Sequence, residues 1–240
     1  MIVVVKNMKN KNIKIILIII LLLGVGYVYK EYFTKEDNSK DALRFKEEYE
    51  ELNGTIRESD DAKYNSVKIP RHNPIKYITV KEAVEIIQKE TGVIYFGANW
   101  CPWCRNAIEV LIDVAKQKKE KKIYYLDMDK VRNTWEVVNG NLNKVTNEEE
   151  GYYDLLKALD SILGDQTYTL TDEFGNIHDT GEKRIYMPLI IGVKNGKILK
   201  NHTGTITLKE EQTKYDKLTK EQKQDLKKIY SELIDATRKD

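Results

Sequence analysis

Apolar positions along the chain alternate between continuous runs and helical spacing, and this alternation predicts the fold class. Residues 93–96 (VIYF) are uniformly apolar between two glycines, which is typical of a buried strand. The next apolar positions recur at helical spacing from Ile108 to Ala115. Residues 122–128 (KIYYLDM) return to a strand pattern. The alternation of strand and helix favours an α/β sheet.

Other segments carry the start and stop signals of helices and turns. Residues 38–54 have a helical apolar face that ends at an Asn-Gly pair, and a polar connector follows up to residue 74. Asn-Gly at 195–196 predicts a hairpin turn between two strands, and a polar hairpin is expected around 175–176. Three capping boxes predict further helix starts, and they pair Thr79 with Glu82, Thr146 with Glu149 and Thr219 with Gln222.

The amino-terminal segment holds the longest apolar run. Residues 15–29 are uncharged and mostly apolar, with a length between that of a signal-peptide core and that of a bilayer span. We expect an uncleaved signal anchor over residues 13–29, with Lys14 snorkelling to the interface. Lysines and no acids precede the run, which places residues 1–12 in the cytoplasm and residues 30–240 outside. A cleaved signal, giving a secreted protein, and a buried helix of a cytoplasmic protein are the alternatives.

Composition and charge narrow the class of protein. The 240 residues are 41% hydrophobic and 32% charged, which is the composition of a globular protein. The formal charge of +2 comes from the four lysines before the apolar run, because the rest of the chain carries 36 basic and 38 acidic residues. A nucleic-acid-binding protein would carry a basic excess in its folded part. We therefore expect no nucleic-acid partner.

The two cysteines of the chain, Cys101 and Cys104, lie three residues apart in the sequence CPWC. A disulfide between them closes a loop so short that it would stabilise the fold by only about 2 kcal/mol. A zinc site needs four ligands, and the three histidines lie at no ligand-like spacing from the cysteines. A structural disulfide and a zinc site are therefore weaker interpretations than redox chemistry.

A strand, a short loop, CxxC and a helix place the first cysteine at a helix amino terminus. Backbone N–H groups and the helix dipole favour a thiolate there, so Cys101 is the predicted nucleophile. Cys104 lies one turn further, shielded under the helix, and can resolve a mixed disulfide by attacking Cys101. Pro102 fits an early helical position. We expect Trp100 and Trp103 to form apolar rims on which an unfolded peptide can rest.

Two stretches resemble the thioredoxin family. The sequence YFGANWCPWCRNAIEVL is similar to the active-site strand, loop and helix of thioredoxins, and MPLIIGVKNGKILKNHTG is similar to their second signature. The resemblance covers roughly residues 75–207 and implies a thioredoxin-like fold, an α/β fold with a central mixed sheet flanked by helices. It also implies that Pro188, preceded by Met187, is cis and faces the CxxC. The main chain there would offer an edge to an extended substrate.

More narrowly, FKEEYEELNG and DTGEKRIYMP resemble exported or membrane-anchored thioredoxin-like proteins of Gram-positive bacteria, some of which are similar to bacteriocin-transport accessory proteins. The chain departs from thioredoxins at Tyr95, which stands where they have a buried aspartate, and at Tyr125, which stands where they have its lysine partner. Proton removal from Cys104 must then use water, a tyrosine or another group. An insertion over about residues 133–181 is expected to shape a substrate surface near the site.

These observations predict a membrane-anchored, extracytoplasmic thiol-disulfide oxidoreductase that acts on protein thiols or disulfides without a bound organic cofactor or metal. A membrane electron-transfer partner is compatible with this activity, whose redox direction stays open. The alternative is a non-catalytic binding or assembly module, such as a secretion accessory protein. The predicted organisation is a cytoplasmic tail (1–12), an anchor (13–29), a membrane-proximal helix and linker (30–74), a thioredoxin-like domain (75–208) and a C-terminal helical extension (209–240).

Overall fold

The computed structural model describes residues 18–22, 24, 40–57 and 60–238. It divides the chain into two units, residues 1–40 and residues 41–240. In the first unit, residues 18–22 and 24 are helical, and most of the predicted anchor lies outside the described residues. Among the described residues, no helix has the length and apolar character needed to cross a bilayer.

The second unit is built on a five-stranded mixed sheet. Its strands are β1 (Ile75–Tyr77), β2 (Gly92–Gly97), β3 (Ile123–Asp127), β8 (Leu189–Lys194) and β9 (Lys197–Thr203). Their order in the sheet is β1-β3-β2-β8-β9, and β2 pairs in parallel with β3 and antiparallel with β8. The main helices are α1 (residues 40–50), α2 (Val80–Lys89), α3 (Pro102–Gln117), α4 (Tyr152–Ala158) and α6 (Lys220–Ala236).

Helices cover both faces of the sheet, and the alternation of side chains along β2 shows the two layers. Val93 and Tyr95 pack into one buried cluster with residues of α1, α3 and α6. Ile94 and Phe96 pack into the other cluster with residues of α2 and α4. Successive side chains of a strand point to opposite faces, so a uniformly apolar strand requires an apolar layer on each side. The predicted fold, a mixed sheet flanked by helices, is confirmed in the second unit.

Helices α1 and α6, which lie outside the stretch that resembles thioredoxins, pack in the same compact unit as the sheet. Phe45 and Tyr49 of α1 are fully buried beside the sheet. Tyr230 and Leu233 of α6 are buried in the same cluster, and α6 packs along α3. Residues of α1 and α6 therefore contribute to the core that surrounds the cysteines.

The insertion between β3 and β8 contains two hairpins and two short helices. Its elements are β4 (Thr134–Val138), β5 (Asn141–Thr146), α4, α5 (Asp160–Leu163), β6 (Thr169–Thr171) and β7 (Ile177–Asp179). The β6–β7 hairpin turns around Gly175 as predicted. The β4–β5 hairpin was not predicted, because its strands alternate weakly between apolar and polar residues.

One of the three predicted capping boxes is wrong. Thr146 is the last residue of β5, and its hydroxyl oxygen lies 2.8 Å from that of Thr134 across the hairpin. Helix α4 begins only at Tyr152, after Gly151 with φ +85° and without a side-chain cap. The Thr146 hydroxyl is thus bonded across the hairpin and is not available to cap helix α4. The boxes at Thr79 and Thr219 are confirmed.

Candidate active site

Cys101 is the N-cap residue of α3. Its backbone is extended, and its Sγ accepts a hydrogen bond from the Cys104 N–H at 3.4 Å. Pro102 occupies the first turn, where a missing N–H costs no helical hydrogen bond. The sulfur therefore replaces the oxygen of an ordinary N-cap side chain and lies where unpaired N–H groups and the helix dipole favour negative charge. Both cysteines are free thiols.

The loop before β8 faces the cysteines. The Met187–Pro188 peptide bond is cis, as the resemblance implies. The Met187 carbonyl oxygen lies 3.8 Å from Cys101 Sγ, within reach of a weak hydrogen bond from the thiol. This contact brings the two predicted parts of the site together, although 86 residues separate them in the chain.

The two cysteines differ in accessibility. Cys101 keeps 5% of its surface exposed and Cys104 keeps none. Trp100, Trp103 and Met187 are half-buried around them, whereas Pro102 and Pro188 are buried. Trp100 donates a hydrogen bond from Nε1 to Asp129 Oδ1 at 2.6 Å, which fixes its ring at the rim. An incoming group can reach Cys101 from this rim, while Cys104 lies beneath it.

The pKa values of the two thiols are shifted in opposite directions. A hydrogen bond from the Cys104 side chain, backbone N–H groups and the charge of Arg132 lower the pKa of Cys101, although partial burial opposes them. Burial raises the pKa of Cys104 well above the usual thiol value, and the Cys101 sulfur raises it further. The site thus favours a thiolate on the outer sulfur and a thiol on the inner one.

The lowered pKa of Cys101 predicts a pH profile for alkylation. The rate of reaction of the reduced protein with iodoacetamide should rise with pH around a midpoint below that of the same protein unfolded in guanidinium, since only the thiolate reacts. Cys104→Ala removes the partner that lowers the Cys101 pKa most, so its midpoint should lie higher. Equal midpoints for the folded and unfolded proteins would contradict this prediction.

Tyrosines lie beneath Cys104, at the positions where the sequence departs from thioredoxins. Tyr95 and Tyr125 are buried and stack with their ring centroids 5.3 Å apart. The Tyr95 hydroxyl is hydrogen-bonded to the Tyr49 hydroxyl at 2.9 Å. Sequence analysis did not assign Tyr49 to the site, because its place on the apolar face of α1, within FKEEYEELNG, indicates burial only.

Sequence analysis also missed Arg105, which follows the second cysteine. This guanidinium group is buried and ties α3 to α1 and to the connector after it. Its four hydrogen bonds run from Nε to Asn65 O at 2.8 Å, from Nη1 to Tyr49 O and Asn99 O at 2.9 Å each, and from Nη2 to Asn53 Oδ1 at 2.7 Å. Burial lowers its pKa, and neighbouring tyrosines oppose that change. Arg105 thereby fixes the main chain around the site.

The segment between β3 and β4 places a second cation near the cysteines. Arg132 Nη1 donates a hydrogen bond to Ile185 O at 3.0 Å, two residues before Met187, and Arg132 Nε is buried without a partner. The positive charge of Arg132 helps to lower the pKa of Cys101. In the part of the chain that the structure describes, no three His, Cys, Asp or Glu side chains form a group that could hold a metal ion.

The chain matches no protein-family model and no curated protein sequence. Among solved structures it is similar to thioredoxin O2 of Arabidopsis thaliana in the oxidized state, with 15% identity and a TM-score of 0.32 over 56% of this chain and 85% of that chain. Thioredoxin O1 of the same plant gives 16% identity and a TM-score of 0.32 over 56% and 88% of the two chains. A TM-score of 0.32 does not establish a shared fold. The α/β fold of this chain is instead shown by its strand order and by the helices on both faces of the sheet.

Proposed function

We propose that the protein is a thiol-disulfide oxidoreductase that acts on cysteines of other proteins. The observation that carries this proposal is the placement of Cys101 at the amino terminus of α3, with a lowered pKa, directly above the shielded Cys104. A structural disulfide or a core thiol would need neither the helix terminus nor the opposite pKa shifts. The Met187 carbonyl beside Cys101 adds a main-chain partner for a substrate.

The proposed reaction proceeds in two exchanges. The Cys101 thiolate attacks a substrate disulfide, forms a mixed disulfide and releases one substrate sulfur as a thiolate, which takes up a proton. Cys104 then attacks Cys101, its proton passes to the second departing substrate sulfur, and the Cys101–Cys104 disulfide forms. Two electrons reach the substrate, and the reverse sequence oxidises a dithiol. The cysteine pair itself serves as the redox group, so the proposal includes no organic cofactor.

The groups around Cys101 fit a polypeptide substrate. An extended segment can pair with the main chain at Met187, while its side chains rest on Trp100 and Trp103 beside Pro102. Pro188 has no N–H, and its carbonyl oxygen accepts a hydrogen bond from the Gly204 N–H, so it shapes the turn without pairing with the segment. Tyr186, half exposed beside Met187, extends the apolar rim. The proposed substrates are therefore proteins with accessible thiols or disulfides. A second proposed partner is a membrane protein that exchanges electrons with the cysteine pair.

The proposed location is the outer side of the cell membrane. Its support is the sequence pattern alone: the apolar run preceded by lysines, which favours insertion with the carboxyl-terminal part outside. Disulfide exchange on protein substrates suits the oxidising conditions of that compartment. Cleavage of the same segment as a signal would give a secreted form with the same chemistry.

The test of this function is catalysed disulfide reduction by the full-length chain. Reduction of insulin by dithiothreitol should be several-fold faster with micromolar protein than without it, and the protein should cycle between dithiol and disulfide forms on mass spectrometry. The matched control is the Cys101→Ser/Cys104→Ser variant, which keeps the size of both side chains but has no thiol. An uncatalysed rate with the unmodified protein would contradict the proposal.

The small exposed fraction of Cys101 favours a second candidate, a binding or assembly module on the same scaffold. The β6–β7 hairpin also presents Phe174, 81% exposed, and Ile177, 72% exposed, on the insertion. A partner could cover these side chains without any reaction at the cysteines. A thiol that fails to react with iodoacetamide in the folded protein, together with full binding of a partner by a Cys101→Ser/Cys104→Ser variant, would favour this candidate.

A further inference from the structure

The segment before the cis proline has few main-chain contacts of its own. Within residues 183–187, only the Ile185 and Met187 carbonyl oxygens accept a hydrogen bond from another residue in the part of the chain that the structure describes. The donor to Ile185 O is Arg132 Nη1 at 3.0 Å, and the donor to Met187 O is the Cys101 thiol at 3.8 Å. This segment therefore depends on side chains from elsewhere in the fold for its position.

Arg184 makes the reciprocal contact. Its Nη1 donates hydrogen bonds to Asn133 O and to Asn133 Oδ1, at 3.2 Å each. Arg132 and Arg184, which we call the crossed arginines, thus run between the same two segments, and each donates to the segment that carries the other. Because a guanidinium group presents several donors in one rigid plane, this pair fixes residues 132–133 against residues 184–185.

The β4–β5 hairpin is bonded to the same two segments. Asn133 is buried and donates from Nδ2 to Glu182 Oε2 at 2.7 Å and to Glu148 Oε2 at 3.1 Å. Lys144 of β5 bonds both of these carboxylates, at 3.3 Å to Glu182 and 3.1 Å to Glu148. The hairpin is therefore linked by side chains to the residues that lead into the cis proline.

The two ends of this segment are held in different ways. At the carboxyl end, the Pro188 carbonyl oxygen accepts a hydrogen bond from the Gly204 N–H at 2.7 Å, which joins it to the end of β9. At the amino end, the Ile185 side chain is buried, and its carbonyl oxygen is bonded by Arg132. Met187 lies between these two anchors, so the loss of either one would let its carbonyl group move relative to the thiol.

We propose that the crossed arginines are positioning residues that hold the Met187 carbonyl at Cys101, so that an extended polypeptide can pair with the main chain beside the thiol. This inference rests on the proposed function and concerns the recognition of its polypeptide substrates. Neither arginine takes part in the exchange of sulfurs. Each acts through the main chain, and binding of an extended segment benefits because its hydrogen-bonding partner is already in place.

The experiment compares two disulfides in single reactions with the reduced full-length protein. One is a disulfide-linked peptide, which offers main-chain groups beside its sulfur, and the other is bis(2-hydroxyethyl) disulfide, which offers none. The rate of adduct formation on Cys101 is measured for each by intact mass spectrometry after an acid quench. A change in the reactivity of the thiol acts on both reactions, so the ratio of the two rate constants, peptide over small disulfide, reports the main-chain pairing.

The variants are Arg132→Met, Arg132→Lys and Arg184→Met. The matched control is Arg238→Met, because Arg238 also donates to a main-chain carbonyl oxygen, that of Lys118, just beyond the carboxyl end of α3. Arg132→Met should lower the ratio by about tenfold, the effect of losing a hydrogen bond from a charged donor. Arg132→Lys keeps one charged donor and should recover part of the loss. Arg184→Met should lower the ratio by a smaller factor, and the control should stay within about twofold.

A second measurement serves if Arg132→Met does not fold. Methylation of the peptide's main-chain nitrogens beside the cysteine removes the donors that would pair with Met187 O. It should lower the ratio about tenfold in the unmodified protein and by a smaller factor in Arg132→Lys.

An unchanged ratio in Arg132→Met, an equal fall in Arg238→Met, or an equal effect of methylation in the unmodified protein and Arg132→Lys would overturn the inference and leave the proposed function standing. An unmodified protein that reacts with neither disulfide would refute the proposed function and the inference with it.

Discussion

Cys101→Ser is expected to lower the rate of disulfide exchange by about a thousandfold or more, whereas Cys104→Ser should stop the reaction at a mixed disulfide. A serine hydroxyl at position 101 is not ionised near neutral pH and cannot attack a disulfide. With serine at position 104 the first exchange still occurs, because the helix terminus that favours the Cys101 thiolate is retained. The resolving sulfur is missing, so the adduct persists.

The measurement is a single experiment with both variants. Each full-length variant is incubated with a disulfide-containing peptide, quenched with acid and examined by intact mass spectrometry. The Cys104→Ser variant should accumulate one peptide adduct on Cys101, and the Cys101→Ser variant should accumulate almost none. A comparable adduct on Cys104 in the Cys101→Ser variant would show that the roles of the two sulfurs are reversed. When the trap is expressed in its native host, the adducts identify natural substrates.

Arg105→Leu is expected to reduce the free energy of unfolding by about 3–5 kcal/mol. The substitution keeps apolar volume but leaves three main-chain carbonyl oxygens without the donor that they share. Asn53 Oδ1 loses its bond to Arg105 but keeps the one from the Val67 N–H. Each buried acceptor left unpaired costs about 1–3 kcal/mol, and local relaxation recovers part of the total. Arg105→Lys keeps the positive charge but loses the planar guanidinium group. Its free energy of unfolding should lie between those of Arg105→Leu and the unmodified protein.

Guanidinium denaturation followed by tryptophan fluorescence measures this effect. Arg71→Leu is the matched control, because Arg71 is exposed on the connector and its loss should change stability by no more than about 0.5 kcal/mol. A similar free energy of unfolding for Arg105→Leu and the unmodified protein would show that water can replace the guanidinium. Loss of stability in both variants would point to the connector as a whole.

The sequence predicts well those parts of the fold that depend on residues close together in the chain. Strand β2 and helix α3 are adjacent in the chain, and the strand pattern, the cysteine pair and the helical spacing all fall within residues 93–115. The Asn-Gly turn between β8 and β9 is equally local. Helices α2 and α6 start at their predicted capping boxes, where the threonine hydroxyl accepts a hydrogen bond from a backbone N–H of its own helix.

The features that sequence analysis missed depend on contacts between distant segments. Thr146 has the sequence signature of a cap, yet its hydroxyl pairs across a hairpin whose existence the alternation of residues did not reveal. Tyr49 and Tyr95 are 46 residues apart, and nothing in either neighbourhood indicates that their hydroxyls meet. Arg105 follows the cysteines directly, but its buried acceptors come from residues up to 56 positions earlier.

The packing of α1 has a consequence for dissecting the chain into fragments. A truncated protein that starts at residue 75, where the likeness to thioredoxins begins, would omit Phe45 and Tyr49 and the acceptors Asn53 and Asn65. Water would enter the space behind Cys104 that these side chains fill. The buried guanidinium group of Arg105 would lose its acceptors on Asn53 and Asn65. The shortest fragment that retains an intact dithiol environment must therefore include helix α1.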